Sequence, residues 1–207
     1  MNASSTTLLL ASTNRKKLEE LQTLLADLPV TVKLLRDSGP FEEIAETGKT
    51  FEENAVLKAR GYAAQTGHLT LAEDSGLCCD ALEGAPGVYS ARFAGEDKSD
   101  EDNNDKLLRL LEKLPDNCRH AHYVSVIALA DPGQLLTVAR GEVHGVIMRE
   151  RRGTGGFGYD PLFYYPPFGK TFGEVPAEMK HTVSHRAKAY EQLLIFLRGY
   201  LDRSRLC

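Results

Sequence analysis

The hydrophobic pattern opens with a short apolar run, Thr7 to Ala11, of strand length. Ser12-Thr13-Asn14-Arg15-Lys16-Lys17 then opens a helix whose apolar positions, Leu18, Leu21, Leu24 and Leu25, are spaced for one face. A second helix is predicted from Thr50 to about Gln65. Thr50 and Glu53 form a T-x-x-E capping box, whose side chains satisfy free backbone N–H groups at a helix start. Thr70 to Ala72 reads as a brief strand ending on Glu73-Asp74-Ser75-Gly76, with glycine-rich chain following to Gly95. Ser99 caps a helix through Leu114 that is acidic first and basic last, as the helix dipole favours; Leu107, Leu108, Leu111 and Leu114 are its stripe.

From Arg119 to Ile147 the period drops to two. Tyr123, Ser125, Ile127 and Leu129 alternate with Val124, Val126 and Ala128, Asp131-Pro132-Gly133 supplies a turn, and Leu135 to Ile147 returns as the partner strand. A glycine-rich loop, Gly153 to Gly158, leads to a strand near Leu162–Tyr165. Ser184 caps a last helix with the stripe Tyr190, Leu193, Leu194, Leu197 and Leu201. Helices alternate with strands and then give way to a hairpin, which reads as an α/β fold with a mixed sheet. No repeat or linker divides the chain, so residues 1–207 are expected to form a single domain.

Composition narrows the function. The 207 residues are 42% hydrophobic and 26% charged, ordinary for a globular chain that buries its own core. Twenty-five basic against 29 acidic side chains give net −4, a poor balance for bulk nucleic-acid binding. Runs such as Leu8-Leu9-Leu10-Ala11 are too short to span a bilayer, and no secretory signal is visible. Cys78, Cys79, Cys118 and Cys207 form no C-x-x-C pair, so neither a disulfide framework nor a zinc knuckle is expected. The expectation is a reduced, cytoplasmic protein without a membrane partner.

The loop Ser12–Lys17 places hydroxyls, a carboxamide and cations at a helix N-terminus. Cations there are unfavourable unless an anion neutralises them, and helix N-termini bind phosphate readily. Solvated lysines remain the alternative. Lys58 follows Ala55 by three positions and precedes Tyr62 by four, so it either snorkels from that apolar face or reaches a phosphate. Glu46, Glu73 and Asp74 are oxygen donors at a turn and a strand end, which suits Mg²⁺ held with substrate phosphates, or merely a solvated turn. In Gly153 to Pro161, glycines flank Phe157. They leave its ring free to stack on a base, with Asp160 as an acceptor, or else form a hinge beside a core phenylalanine. Lys180 and Ser184-His185-Arg186 add donors suited to carbonyl or phosphate oxygens, or a plain helix cap. Cations for a polyphosphate, carboxylates for Mg²⁺ and an aromatic with polar readers add up to a nucleoside triphosphate site.

From Leu8 to about Leu197 the sequence resembles the inosine triphosphate pyrophosphatase (Ham1-like) family. The resemblance rests on ordered motifs: Ser12-Thr13-Asn14-Arg15-Lys16-Lys17; Glu46-Thr47-Gly48 through Phe51-Glu52-Glu53-Asn54-Ala55; Asp74-Ser75-Gly76-Leu77; Gly156-Phe157-Gly158-Tyr159-Asp160-Pro161; and Ser184-His185-Arg186. It implies hydrolysis of ITP, dITP and XTP to the monophosphate and pyrophosphate, clearing them from the nucleotide pool before incorporation into DNA or RNA. It also implies a long twisted mixed sheet with helices forming two lobes around a central cleft, and a homodimer. Ser12, Thr13, Asn14, Arg15, Lys16, Lys17 and Lys58 would hold the triphosphate. Glu46 and Asp74 would bind Mg²⁺, with Glu73 behind them; Asp74 would also activate water, and Ser75 would touch substrate. Phe157 would stack on the purine, Gly158 beside it would be a substrate-binding residue, and Tyr159, Asp160, Lys180, His185 and Arg186 would read base and sugar. A Maf-type pyrophosphatase would carry an Arg-rich loop where this chain has Asn14 and Lys17. A non-catalytic nucleotide sensor would have no use for Asp74 and Glu46 as water activators. Cys78-Cys79 departs from the family's charged or aliphatic residues there.

Overall fold

The computed structural model describes residues 6–13 and 15–204. In chain order the strands are β1 (Thr6–Leu10), β2 (Val30–Leu34), β3 (Leu69–Cys79), β4 (His120–Ala130), β5 (Leu135–Ile147), β6 (Phe163–Tyr165) and β7 (Lys170–Thr171). The α-helices are α1 (Arg15–Leu24), α2 (Phe51–Thr66), α3 (Asp100–Leu111), α4 (Ala177–His181) and α5 (His185–Ser204). The seven strands lie in the order β2-β1-β3-β4-β5-β6-β7. β1 pairs parallel with β2 and β3, whereas β6 pairs antiparallel with β5 and β7, so the sheet is mixed as expected.

The chain divides into two compact units, the first comprising Met1–Asp74, Val126–Arg140 and Ala189–Cys207, the second Ser75–Ser125 and Gly141–Lys188. The core of the first is Leu8 and Leu10 of β1, Leu69 and Leu71 of β3, Leu21 and Leu25 near α1, and Ala189, Leu193 and Leu197 of α5. Each such leucine withdrawn from water contributes about 1.5–3 kcal/mol, which is why the α5 stripe decides where that helix lies. The second unit is built on Leu77, Leu107, Leu111, Tyr123, Phe163 and Phe172. Cys79 belongs to this core, where burial pushes its thiol up to about 12. It is therefore a packing residue with no thiolate character. No helix among the described residues is long and apolar enough to cross a membrane.

Four features depart from the sequence reading. β3 does not end at Ala72 but runs on through Glu73-Asp74-Ser75-Gly76 to Cys79, so the acidic residues sit inside a strand. The glycine at 76 suits close packing and not a turn, because a Cβ there would collide with Ser90 Oγ. β2 is an additional parallel strand, short enough to escape a periodicity argument. Leu24 is exposed and drops out of the α1 stripe, while Leu25 is buried. Finally, α3 ends at Leu111 and not Leu114: Arg119 donates to the Leu111 carbonyl, and Arg149 to those of Glu112 and Leu114. Guanidinium groups satisfy the orphan carbonyls that another helical turn would otherwise take up.

Candidate active site

The first set of site residues surrounds the carboxyl end of β1. Ala11 donates its N–H to Leu71 at 2.8 Å, and the chain then turns into α1. Ser12 is half-buried, whereas Thr13 and Arg15 are exposed; Asn14 and the side chain of Lys16 lie outside the described residues. Lys17 Nζ lies 3.2 Å from Glu73 Oε2, on a carboxylate only 2% exposed. Ser12, Thr13, Lys17, Glu46, Lys58 and Glu73 line a cavity of about 300 Å³ whose remaining wall includes Leu35, Phe41 and Tyr62.

Lys58 does not snorkel to solvent. Its ammonium lies 2.9 Å from Glu46 Oε1, donates to the Glu73 carbonyl at 3.0 Å and stands 3.9 Å from Asp74 Oδ1. Asp74 and Ser75 follow one another on β3, each half-buried. The α2 cap forms as expected, with Thr50 accepting from Glu53 N–H. The Glu53 carboxylate departs from the box and takes the Lys49 N–H instead, which ties down the loop carrying Glu46.

Asn54 is a site residue that motif reading quoted without giving it a role. It is buried, accepts from Gly48 N–H at 2.8 Å and donates to Asp74 Oδ2 at 3.0 Å. The Glu46 loop and the Asp74 carboxylate thus share one amide. Gly48 must be glycine, since a Cβ would lie 2.6 Å from Asn54 Oδ1. The sequence signal for it is an asparagine in the first turns of a helix, where it has no propensity advantage. If Asp74 holds a metal, Asn54→Ala is expected to lower turnover roughly tenfold to a hundredfold, as losing a hydrogen-bond support of a ligating carboxylate typically does. The lost partners of Gly48 and Asp74 should also lower its stability, by about 1–3 kcal/mol, so turnover is compared at a temperature where circular dichroism shows the variant folded. Unchanged turnover would dismiss this role.

Glu46 and Asp74 offer only hard oxygen donors. Among the described residues no group of three or more His, Cys, Asp and Glu side chains makes a ready cage. One or two carboxylates completed by substrate phosphates and water is how Mg²⁺ is usually held, so the donor set fits that ion.

The second set lies on the 153–161 loop, α4 and the start of α5. Phe157 is 60% exposed, so it is not a core ring. Lys180 Nζ lies 4.6 Å and Arg186 Cζ 5.8 Å from its centroid. Asp160, 1% exposed, accepts from Phe157 N–H at 3.0 Å, from Tyr123 hydroxyl at 3.3 Å and from Lys180 Nζ. Tyr123 also stacks on His185 with centroids 4.9 Å apart. Burial, then the neighbouring Asp160 carboxylate, holds its phenol well above the ordinary value, so it stays a donor. From sequence Tyr123 is a strand residue, and its hydroxyl among apolar neighbours is the one hint that it needs a partner. Tyr159 is a core residue whose hydroxyl donates to the Ser90 carbonyl at 2.8 Å. Ser184 caps α5 through Ala187 N–H.

The glycine-rich loop is pinned. Gly155 N–H donates to Gly173 O at 2.9 Å, and a Cβ on Gly153, whose φ is +78°, would run into the backbone of Gly173. A Cβ on Gly173 would in turn approach Arg152 O to 2.7 Å. Two backbones are packed against each other there, leaving no room for a side chain on either strand of the contact.

Comparison with known proteins matches residues 8–196 to the model of the Ham1 family. The chain is 50% identical to a dITP/XTP pyrophosphatase of Desulforamulus reducens, over 92% of this chain and 94% of that one. It is 52% identical to a dITP/XTP pyrophosphatase of Geobacter sulfurreducens, over 89% and 92%. Among solved structures, the HAM1 protein from Coxiella burnetii superposes with a TM-score of 0.88 at 43% identity, covering 94% of this chain and 99% of that one. The Staphylococcus aureus Ham1 protein gives 0.89 at 40% identity, covering 94% and 100%. A family match over nearly the whole described chain, with relatives at about half identity and the same mixed sheet, leads to one conclusion: the chain belongs to the Ham1 family.

Proposed function

We infer that the protein hydrolyses non-canonical purine nucleoside triphosphates, dITP, XTP and ITP, to the monophosphate and pyrophosphate. The observation that carries this reading is the grouping of Lys58 with Glu46 and Asp74, beside Lys17 and Glu73. It pairs cations suited to a polyphosphate with oxygen ligands suited to a metal. Ser12, Thr13, Arg15, Lys17 and Lys58 bind the triphosphate, with Asn14 and Lys16 of the same loop. Glu46 and Asp74 hold Mg²⁺, which when bound neutralises phosphate charge and lowers the barrier to displacement. Asp74 accepts the proton of the water that attacks the α-phosphorus; the bond from that phosphorus to the bridging oxygen breaks, and pyrophosphate leaves. Lys58 and Lys17 stabilise the charge that develops on the leaving group. The Phe157 ring stacks on the purine, and Arg186, His185 and Lys180 supply donors to its edge and to the sugar.

Hypoxanthine and xanthine present a 6-oxo acceptor and an N1–H donor, whereas adenine reverses that pattern. A site built for the first leaves buried groups unpaired with ATP and can discriminate by orders of magnitude. Arg186→Ala is expected to narrow the kcat/KM gap between ITP and ATP, and Phe157→Ala to weaken all purines about equally. A uniform loss across ITP, XTP, GTP and ATP in Arg186→Ala would take base reading away from that residue. Chromatography of the ITP reaction is expected to show IMP and pyrophosphate as primary products. IDP with orthophosphate would indicate a γ-phosphatase, and tight nucleotide binding without turnover a sensor. We place the enzyme in the cytoplasm as a homodimer, which sedimentation would test.

A further inference from the structure

We propose that Asp100 and Asn104, at the start of α3, are positioning residues for the purine platform: they fix the Gly158 peptide and, through it, the Phe157 ring. The proposal rests on the reading of Phe157 as the stacking surface. Phe157 lies between two glycines in left-handed conformation, Gly156 at φ +75° and Gly158 at φ +58°. Glycine peptides have more conformations to lose than any others, so a ring carried between two of them keeps one direction only if something external holds the chain. Three hydrogen bonds do so. Asp160 takes the Phe157 N–H, Asp100 Oδ2 takes the Gly158 N–H at 2.7 Å, and Asn104 Nδ2 donates to the Gly158 carbonyl at 2.9 Å. The N–H and the carbonyl of Gly158, one on each of its two flanking peptide units, are therefore both held by one helix.

That helix is itself set. Ser99 and Asp102 complete a reciprocal capping box at its start, and Leu107 and Leu111 seat it in the core. Asn104 is 2% exposed and donates a second hydrogen bond to the Asp100 carbonyl, while its Oδ1 is buried with no hydrogen-bond partner among the described residues. A buried acceptor without a donor costs stability. An apolar residue at 104 would avoid that cost but leave the Gly158 carbonyl without this donor, so what the amide contributes here is the hold of its Nδ2 on that carbonyl.

The test measures steady-state kinetics of dITP and XTP in Asp100→Ala and Asp100→Asn, alone and combined with Phe157→Ala. Asp100 is exposed, so Asp100→Ala is expected to fold. It should raise KM about tenfold while kcat stays within about twofold, the signature of lost binding without lost chemistry. Asparagine keeps an acceptor for the Gly158 N–H, so Asp100→Asn should restore KM to within about twofold of wild type. In the Phe157→Ala background, Asp100→Ala should change nothing further, because the ring it positions is gone. An unchanged KM in folded Asp100→Ala, or a full second loss on top of Phe157→Ala, would overturn the proposal. A second readout needs no turnover. 4-Fluorophenylalanine placed at position 157 should give one sharp ¹⁹F resonance in the otherwise wild-type protein, broadened or split by Asp100→Ala and by Asn104→Ala and sharp again in Asp100→Asn. Identical spectra in Asp100→Ala and wild type would also overturn it. If the wild-type protein turns over neither dITP nor XTP, the functional reading fails and the ¹⁹F result still decides whether the clamp exists.

Discussion

Asp74→Asn should leave the protein folded and reduce kcat by roughly 10²–10⁴-fold, the range general-base catalysis supplies. The exchange is isosteric, so packing barely changes, but the amide cannot accept the proton of water and is a weak ligand for a hard cation. The local geometry removes any easy accommodation. If the new carbonyl keeps the Asn54 hydrogen bond, now made by Asp74 Oδ2 at 3.0 Å, the new NH₂ turns towards Lys58, whose ammonium stands 3.9 Å from Oδ1. If the amide flips, donor faces donor at Asn54. Measured at saturating Mg²⁺ with a thermal melt alongside, near-normal kcat in a folded Asp74→Asn protein would end the assignment of Asp74 as base.

Asp160→Ala should act on stability first, by about 3–5 kcal/mol, the usual consequence of removing one member of a buried ion pair. Asp160 and Lys180 side chains are 1% and 11% exposed, and the same carboxylate holds Phe157 N–H and the Tyr123 hydroxyl. Alanine would leave a cation and two donors without an acceptor. For a chain of this length the melting temperature should fall by on the order of 10 °C. Replacing both partners, Asp160→Leu with Lys180→Met, should recover part of that loss, because no charge is then left unpaired. An unchanged melt in Asp160→Ala would mean that the carboxylate carries no structural load.

Much of this was legible in the sequence where local rules decide. The α5 stripe, the Ser184 cap, the β4–β5 hairpin and the Thr50 cap all follow from spacing and short-range hydrogen bonds. β3 was misread at Glu73-Asp74-Ser75-Gly76 because those residues taken alone favour a turn. Pairing within a seven-stranded sheet overrides that preference, and the close approach of Ser90 gives Gly76 its reason. Asn54 and Tyr123 escaped for a different cause. Their partners, Asp74 and Asp160, lie 20 and 37 positions away, and no spacing rule connects a helix or strand residue to a carboxylate at that remove. Phe157 was the instructive ambiguity. Its flanking glycines fit a hinge beside a core ring as well as a platform; its exposure excludes the core ring, and the two cations nearby support the platform.

The packed backbones of Gly153 and Gly173 change what a glycine-rich loop means here. Such loops are commonly pictured as lids that gain their shape from the ligand. In this loop the conformational entropy is surrendered once, during folding, when the two chains close against each other. If the loop carries the purine platform as proposed, a nucleotide arriving afterwards bears little of the cost of ordering it. On that reading the glycines at 153 and 173 would serve affinity without touching a ligand, and a methyl group at either, which has no room, would be felt as weaker binding as well as poorer folding.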